Sequence, residues 1–242
     1  MLEYAITISS IVDITNSIYQ LRHNKEKKTI YGISFDYALF SFLHSYLSIL
    51  TTFLYIDNSE YTSRNPIYPT VPISYLLLLL QIIQCSLAIL LCLQLRLYHH
   101  TQNTNQGVSP ASLLLLLCLG LLWGWLFKMY SYGEGKIVFL DVIDSTWYVG
   151  RVVSTVKYVP VISMNWFDRC VVGFTDTWHD LSLVVVVVQL LGKMSRSLEW
   201  WEVPVNFPTW TEVVFQLICM LIIKYQMYIY KENKSTLQVK HK

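Results

Sequence analysis

Long apolar stretches alternate with short polar segments along almost the whole chain. Seven stretches have the length and composition typical of membrane-spanning helices: residues 2–20, 35–56, 72–98, 111–130, 137–163, 177–192 and 209–230. The hydrocarbon core of a bilayer is about 30 Å thick, and a helix needs roughly 20 mostly apolar residues to cross it. Because lipid offers the backbone no hydrogen-bond partners, helices are the expected structure. The pattern therefore predicts an all-α membrane protein with seven transmembrane helices. The lipid bilayer is its expected partner.

The composition supports this class and excludes others. Hydrophobic residues make up 54% of the chain and charged residues only 14%, whereas soluble proteins carry about 25% charged residues. With 18 basic and 16 acidic residues the net charge is +2, so no basic surface is available for nucleic acid. We expect no nucleic-acid partner, and the sequence indicates no particular protein partner.

The residues that usually carry enzymatic chemistry are not grouped in this chain. The five cysteines, all within or beside apolar stretches, form no CxxC motif and have no cluster of histidines nearby, so we expect no metal site. No paired nucleophile and base, glycine-rich phosphate loop or HExxH motif is present. We therefore expect a protein that is not an enzyme and needs no cofactor.

Basic residues between the spans predict the orientation, because lysine and arginine concentrate in cytosolic loops. One side carries ten of them, namely Arg22, Lys25, Lys27, Lys28, Arg96, Arg169, Lys231, Lys234, Lys240 and Lys242. The other side carries five, namely Arg64, Lys128, Lys136, Lys193 and Arg196. An odd number of spans puts the two termini on opposite sides. We expect a lumenal N-terminus and a cytosolic C-terminus.

A weak internal repeat divides the chain into two similar halves at an offset of 141 residues. The matched pairs are Asn24 with Asn165, Gly32 with Gly173, and Ser34 with Thr175. The repeat predicts a three-helix unit at 1–98, a linker with the fourth helix at 99–136, a second three-helix unit at 137–231, and a cytosolic tail at 232–242. A linker of one span gives both units the same orientation, as in the sugar-carrying SWEET proteins.

Two segments resemble the PQ-loop motifs of the cystinosin family. Residues 157–165 read KYVPVISMN and are followed by Gly173-Phe174-Thr175, which is similar to K-Y-x-P-Q-x-x-x-N with a GWS-like step. Residues 17–20 read SIYQ and are followed by Asn24 and by GISFD at 32–36, which is similar to the first motif. The resemblance extends over essentially the whole chain at low identity.

The departures from the family pattern concern residues that matter for function. Tyr19 replaces the proline of the first Pro-Gln pair, and Val161 replaces the glutamine of the second. Since proline kinks a membrane helix, we expect the first helix to be straighter than the fifth. The family's intramembrane aspartate lies nine residues after the second-motif glycine, which is Ser182 here, whereas the aspartate present is Asp180.

The resemblance implies a proton-coupled symporter that exports cystine or a related amino acid from an acidic vacuole, lysosome or endosome. The alternative is a PQ-loop protein that does not transport and acts as an interaction or trafficking factor, which the altered Pro-Gln pairs would permit. The direction of Asp180 discriminates the two. A side chain inside the bundle near Lys157 and Asn165 favours transport, and one at the outer surface favours the alternative.

Charged residues within or beside the predicted spans are the first candidates for a site, because a charge at the bilayer centre costs about 2.5 to 3.5 kcal/mol. The candidates among them are Asp13, Asp36, Arg151, Lys157 and Asp180. Asp180 is the candidate proton carrier, or else a cap at the start of the sixth helix. Lys157 is the candidate partner of a substrate carboxylate, or else a side chain that extends to the interface.

Polar residues of the two motifs complete the expected site. The resemblance assigns substrate contacts to Asn24, Ser41, Asn165 and Ser182, and hinge positions to Gln20 and Pro160. An amide offers both a donor and an acceptor to the backbone-like end of an amino acid, although Asn165 also suits a helix C-terminal cap. In a carrier of two parallel units the site lies near the midplane between them.

Overall fold

The computed structural model describes residues 2–56, 58–64, 70–103, 106–133, 135–195 and 203–233. These residues form no β-strand, which confirms the all-α fold class for the described part of the chain. Its α-helices are α1 (Leu2–Lys27), α2 (Phe35–Ile56), α3 (Ser59–Arg64), α4 (Tyr75–Leu97), α5 (Pro110–Ser131), α6 (Phe139–Val156), α7 (Val159–Asp168), α8 (Asp176–Met194) and α9 (Trp210–Ile229).

Four of these helices are long and apolar enough to cross a membrane. They are α2, α4, α5 and α9, with mean hydropathies of 1.5, 2.6, 2.0 and 1.5 over their most apolar windows. The protein is therefore an all-α membrane protein. Each of the seven predicted spans coincides with a long helix, α6 and α7 together taking the fifth. Hydropathy does not single out α1, α6 or α8, so the number of spans stays a prediction.

Serine and threonine hydroxyls set the beginnings of five helices. The hydroxyl oxygens of Ser34, Ser74, Ser109, Thr175 and Thr209 each accept a hydrogen bond from the backbone N–H three residues further on. This N-terminal capping satisfies a donor that has no partner within the helix. The short polar segments of the sequence therefore end where the structure begins a new helix.

The fifth predicted span is broken at its proline. α6 ends at Val156, and α7 begins at Val159 with Pro160 in its first turn. Proline lacks an N–H and clashes with the preceding turn, so a helix rarely continues through it. In contrast, α1 continues without interruption past Tyr19 to Lys27. The expectation that the first helix is straighter than the fifth is confirmed.

The helices pack in a pattern that treats the two ends of the chain alike. α1 packs against α4 and α8, and α2 packs against α4 and α6; α9 packs against α6, α7 and α8. α1, α2 and α4 form one group of helices, and α6–α7, α8 and α9 form a second group in the same order. Each contact made by a helix of one group is made by the corresponding helix of the other group. α5 lies outside the pattern and packs mainly against α6.

Two glycines meet where the loops that precede α2 and α8 touch. Gly32 has φ +82° and Gly173 has φ +100°, which is backbone geometry that side chains disfavour. A Cβ at Gly32 would lie 2.3 Å from the carbonyl oxygen of Val172, and one at Gly173 would lie 2.3 Å from the carbonyl carbon of Gly32. Only glycine allows this approach. We call the end of the bundle that contains this contact the glycine end.

The ends of four helices lie together at the glycine end. The backbone N–H of Ile30 donates to Thr101 over 3.0 Å, and the amide of Asn103 donates to Asp168 over 3.1 Å. The basic residues of the described part that lie here are Arg22, Lys25, Lys27, Lys28, Arg96, Arg169 and Lys231, whereas Arg64, Lys128, Lys136 and Lys193 lie towards the other end. Arg196, Lys234, Lys240 and Lys242, and with them most of the expected tail at 232–242, lie outside the described residues.

Candidate functional site in the central cavity

A cavity of about 110 Å³ lies between the two groups of helices. Its lining includes five titratable side chains, namely Asp13 of α1, His44 of α2, Arg151 of α6, Lys157 at the α6–α7 break, and Glu212 of α9. Glutamines and serines from α1, α2, α4, α6, α8 and α9 supply most of the other polar lining. Polar and charged side chains directed inward in a membrane protein usually mark a substrate or ion pathway.

Asp13 of α1 and Lys157 at the α6–α7 break both line this cavity. The Asp13 carboxylate accepts a hydrogen bond of 3.1 Å from the amide of Gln84, and the Lys157 ammonium lies 4.9 Å from the centre of the Tyr158 ring. No ion pair joins Asp13 to Lys157 among the described residues. The cavity therefore presents a carboxylate and an ammonium that do not neutralise each other directly.

Arg151 and Glu212 form the second charged element, and here the charges are paired. Their closest nitrogen and oxygen are 3.3 Å apart, and the side chains are only 7% and 2% exposed. Arg151 also donates to the carbonyl of Val205 over 3.0 Å, while Glu212 accepts a 2.7 Å bond from the Thr209 N–H. A buried ion pair with such additional hydrogen bonds holds elements in register. It fastens α6 to α9 and to the segment before α9.

An aromatic cluster lies beside the cavity on the side of the glycine end. Tyr37 stacks on Tyr158 with ring centres 5.7 Å apart, and Phe174 stacks on Trp178 at 4.0 Å. Tyr37 meets Trp178 edge-on at 5.6 Å. These four rings come from α2, from α8 and the loop before it, and from the α6–α7 break. Tyr37, Phe174 and Trp178 line the cavity, so the cluster forms part of its wall.

The segment before α9 covers the other end of the cavity. The Asn206 amide donates to the carbonyl of Ser74 over 2.8 Å, and Gln81 donates to the carbonyl of Asn206 over 3.0 Å. Asn206 and Pro208 both line the cavity. Side-chain hydrogen bonds from α4 and α6 therefore hold this segment in place.

The predicted site residues fall into two sets. Lys157 and Ser41 line the cavity, as does the predicted hinge residue Gln20. Ser182 is buried and accepts a 3.0 Å hydrogen bond from Asn16, so it contributes to the α1–α8 contact. Pro160 lies in the first turn of α7, next to the helix break.

The two predicted asparagines lie in matching hydrogen-bond networks near the glycine end rather than in the cavity lining. Asn24 donates to Gln94 over 3.0 Å, and Gln94 donates to the carbonyl of Leu21 over 2.9 Å. The second half repeats this arrangement: Asn165 donates to Gln226 over 3.1 Å, and Gln226 donates to the carbonyl of Ile162 over 3.0 Å. Both asparagine amides thus tie the first helix of a group to its third.

Gln20 connects the two groups of helices. Its amide donates to the Gly173 carbonyl over 2.8 Å and to the Asn24 side chain over 2.8 Å, while its oxygen accepts from the Thr175 N–H over 3.0 Å. The equivalent position in the second half, 141 residues further on, is Val161, which has no polar group. This link across the glycine end therefore exists on one side only.

Asp180 does not face the cavity. Its carboxylate forms an ion pair with Lys224 of α9, and the two side chains are 63% and 50% exposed. Asp180 is thus on the outer surface of the bundle, away from Lys157 and Asn165. This outer position is the one that we expected for a non-transporting interaction or trafficking factor.

Sequence reasoning identified Asp13 and Arg151 as charged but gave them no role, and it did not consider Glu212 or His44. Asp13 had a usable signal, since it is a carboxylate in the middle of a predicted span. Glu212 is harder to find, because it also completes a capping box with Thr209 at the start of α9. Because the capping box already accounts for Glu212, its sequence context gives no reason to place it in a binding site.

The fold and the cavity define an all-α membrane protein with a charged, largely polar site in its interior. No protein-family model matches the chain. An uncharacterised protein of Saccharomyces cerevisiae is similar to it, with 26% identity over 251 aligned positions that cover 95% of each chain. The similarity therefore extends over nearly the full length of both proteins.

Proposed function

We propose that this protein is a membrane carrier for a small zwitterionic solute of the amino-acid type, and that the solute binds in the central cavity. One observation carries the proposal. Asp13 and Lys157 line the same cavity and are not paired with each other among the described residues. An amino acid carries an ammonium and a carboxylate, and each of these would find an opposite charge there.

The size of the cavity restricts the substrate. A volume of about 110 Å³ holds several water molecules and suits the charged end of an amino acid. Cystine, which the resemblance to the cystinosin family suggests, carries two such ends and would need a more open state. We therefore propose amino acids as the substrate class and cystine as the first member to test.

The architecture in this proposal is seven spans arranged as two parallel three-helix units with α5 as the linker. The exchangeable helix contacts and the matched networks around Asn24 and Asn165 support it. Carriers of this kind bind substrate between the units and alternate by rocking one unit against the other. Rocking here would open the aromatic cluster around Tyr37 and Trp178 and part the Gly32–Gly173 contact.

The location and orientation follow from the same proposal. The glycine end carries seven of the basic residues in the described loops and helix ends, against four towards the other end, which supports a cytosolic glycine end. The cavity would then face the lumen of a vacuole, lysosome or endosome in the closed-cytosol state. Protons from an acidic lumen would drive export.

The carboxylate that carries the coupled proton in this proposal is Asp13. Asp180 is at the outer surface in an ion pair, whereas Asp13 lines the cavity, as does Lys157. Protonation of Asp13 from the acidic lumen would leave Lys157 without a nearby negative charge and so favour the substrate carboxylate, while the oxygen of the neutral carboxyl still accepts a hydrogen bond from the substrate ammonium. Loss of the proton to the cytosol would restore the attraction between Asp13 and Lys157 and favour release.

The test is uptake into proteoliposomes. The purified protein should take up radiolabelled cystine or one of a set of labelled amino acids above protein-free vesicles, and an acidic exterior should accelerate the uptake. Lys157→Met should lower uptake at least tenfold, and Asp13→Asn should abolish the response to pH. Asp180→Asn is the matched control, because it removes the same charge outside the cavity. It should keep both uptake and the pH response.

The carrier activity, the proton-carrying residue and the seven-span architecture are each contradicted by a different result. No uptake of any labelled amino acid by folded wild-type protein would contradict the carrier. Uptake that Asp13→Asn leaves pH-dependent and Asp180→Asn makes pH-independent would return the proton to Asp180. A protease-protection map that put both described ends, residues 2 and 233, on one side of the membrane would contradict the seven-span architecture.

The second candidate function is that of a non-transporting interaction or trafficking factor. The exposed Asp180–Lys224 pair favours it, because an ion pair on the outer face of a membrane helix bundle suits a polar contact with another membrane protein. In that case Asp180→Ala with Lys224→Ala would change the localisation of the protein in cells. The Lys157→Met variant would leave the localisation unchanged.

A further inference from the structure

A second cavity lies at the glycine end on the outside of the bundle, between α2, α4 and the segment that leads into α5. Its volume is about 590 Å³, several times that of the central cavity. Its apolar walls are Phe35, Leu39, Cys92, Leu95 and Val108. Arg96 and His99 complete the lining, and both are exposed. We call this feature the outer groove.

The position of Arg96 along α4 gives the depth of the groove in a bilayer. The 20 residues from Leu76 to Leu95 contain no charged residue, and this helix has the highest hydropathy of the four candidate spans. Twenty helical residues extend about 30 Å, which is the thickness of the hydrocarbon core. Arg96 follows directly, and His99 comes one turn later. Arg96 and His99 therefore lie at the level of the lipid headgroups, with the apolar walls below them.

Arg96, on the polar side of the groove, has no anionic partner among the residues that the structure describes. Arg96 takes part in no ion pair among the described residues. The nearest carboxylate in sequence to the groove walls is Asp36, which is buried and accepts hydrogen bonds of 3.1 and 3.2 Å from the N–H of Ser109. That carboxylate is occupied at the start of α5. An anion from outside the protein would be the counter-charge of Arg96.

Further positive charge surrounds this side of the protein. The hydrogen bond from the Ile30 N–H to the Thr101 hydroxyl brings the loop after α1 beside the end of α4. Lys27 and Lys28, both exposed, lie just before that contact. Juxtamembrane basic residues attract anionic lipids with about 1 kcal/mol each. The surroundings of the groove thus favour an anionic lipid headgroup over a zwitterionic one.

We propose that the groove binds an anionic phospholipid, with an acyl chain against the apolar walls and the phosphate at Arg96 and His99. Leu93 and Leu97 on the outer face of α4 are 55% and 66% exposed, so the groove opens towards the surrounding lipid. The site is independent of the central cavity and of the transport proposal. It gives the protein a specific lipid partner on one side of the membrane.

Native mass spectrometry of the delipidated full-length protein tests this site. Phosphatidylglycerol should bind at least fivefold more tightly than phosphatidylcholine with the same acyl chains. Arg96→Gln should weaken phosphatidylglycerol binding by about fivefold or more, because it removes the charge-assisted hydrogen bond to the phosphate in the groove. Arg169→Gln is the matched control, because Arg169 is exposed at the same end of the bundle but outside the groove. It should leave the preference unchanged.

A change in the groove walls separates this site from general attraction to a basic surface. Leu39→Trp fills the groove and should weaken the binding of both lipids, provided that the melting temperature in detergent is unchanged. Val108→Trp does the same from a segment outside the helices and serves if Leu39→Trp lowers the melting temperature.

Four outcomes would overturn the proposal. They are equal affinity for the two lipids, equal losses from Arg96→Gln and Arg169→Gln, unchanged binding after the groove is filled, and full competition by inorganic phosphate. The last would indicate a site for free anions rather than for a lipid.

Discussion

The two groups of helices, α1, α2 and α4 on one side and α6–α7, α8 and α9 on the other, share a scaffold but differ in their chemistry. The same amide network ties the first helix to the third in each group, through Asn24 and Gln94 or through Asn165 and Gln226. The charges are not repeated. At the offset of 141, Asp13 corresponds to Ser154 and Asn16 to Lys157, so the charge at each of these two positions has no counterpart in the other group.

The backbone differs as well. α1 is continuous through Tyr19, whereas the equivalent Pro160 follows a break between α6 and α7. At the corresponding positions Asn16 donates to the Trp178 carbonyl over 3.1 Å and to Ser182, while Lys157 lies at the break and faces the cavity. A near-symmetrical scaffold thus acquires an asymmetrical site through a few substitutions.

The largest effect is expected at the ion pair that only the second group possesses. Arg151→Met leaves Glu212 buried and unpaired, and removing one partner of a buried pair costs about 3 to 5 kcal/mol of stability. The double variant Arg151→Met with Glu212→Leu should recover most of this loss. Thermal unfolding in detergent measures both. A single variant as stable as the wild type would contradict a structural role for the pair.

Installing the missing proline tests the backbone difference. Tyr19→Pro should destabilise the protein by about 3 kcal/mol, since it removes a hydrogen bond from the middle of a continuous helix and clashes with the preceding turn. Tyr19→Ala is the control for loss of the half-exposed ring and should have little effect. If Tyr19→Pro were fully stable, α1 would already tolerate the break that is present between α6 and α7.

Matched substitutions test whether the two amide networks are equivalent. Asn24→Leu and Asn165→Leu each leave the glutamine of the third helix, Gln94 or Gln226, without its donor, which costs about 1 to 3 kcal/mol. Asn24→Leu also removes the acceptor of a 2.8 Å hydrogen bond from Gln20, a bond that Val161 cannot make in the second group. We therefore expect Asn24→Leu to cost about 0.5 to 1.5 kcal/mol more than Asn165→Leu, and the same unfolding assay compares the two losses directly. Equal losses would contradict a contribution of the Gln20–Asn24 bond.

The smallest effect is expected outside the cavity. Asp180→Asn removes one partner of an exposed ion pair, and exposed pairs contribute about 0 to 1 kcal/mol. Stability should therefore stay close to that of the wild type, and the small difference should shrink as the salt concentration is raised, because salt screens the exposed pair of the wild type. A loss as large as that from Arg151→Met would indicate that Asp180 is buried in the folded protein.

Sequence patterns predicted the elements of this fold closely. The stretch predicted at 35–56 is α2 with the same bounds, and the stretch at 177–192 is α8 within two residues at its end. The helix break near Pro160 followed from one residue. These features depend on local properties, namely apolar length, capping residues and the geometry of proline, and each can be evaluated without knowing what packs against the segment.

The candidate site was only partly predictable, for a physical reason that Asp180 and Asp13 illustrate. Both are carboxylates within predicted spans. Their roles depend on which face of α1 or α8 turns inward, and a shift of two residues turns a helix by about 200°. Motif spacing drew attention to Asp180, whereas the packing of α1 against α4 and α8 places Asp13 in the cavity.

The sequence by itself determined that this is an all-α membrane protein, where its long helices lie and which one is broken by proline. Only the tertiary structure decided which charged residues line the same cavity. Asp13 and Lys157 are 144 residues apart in the chain, and no local pattern connects them. Hydrophobic length acts on each segment separately, but a binding site depends on the relative rotation of several helices. That rotation is set by packing contacts such as Gly32 on Gly173 and Gln20 on Thr175.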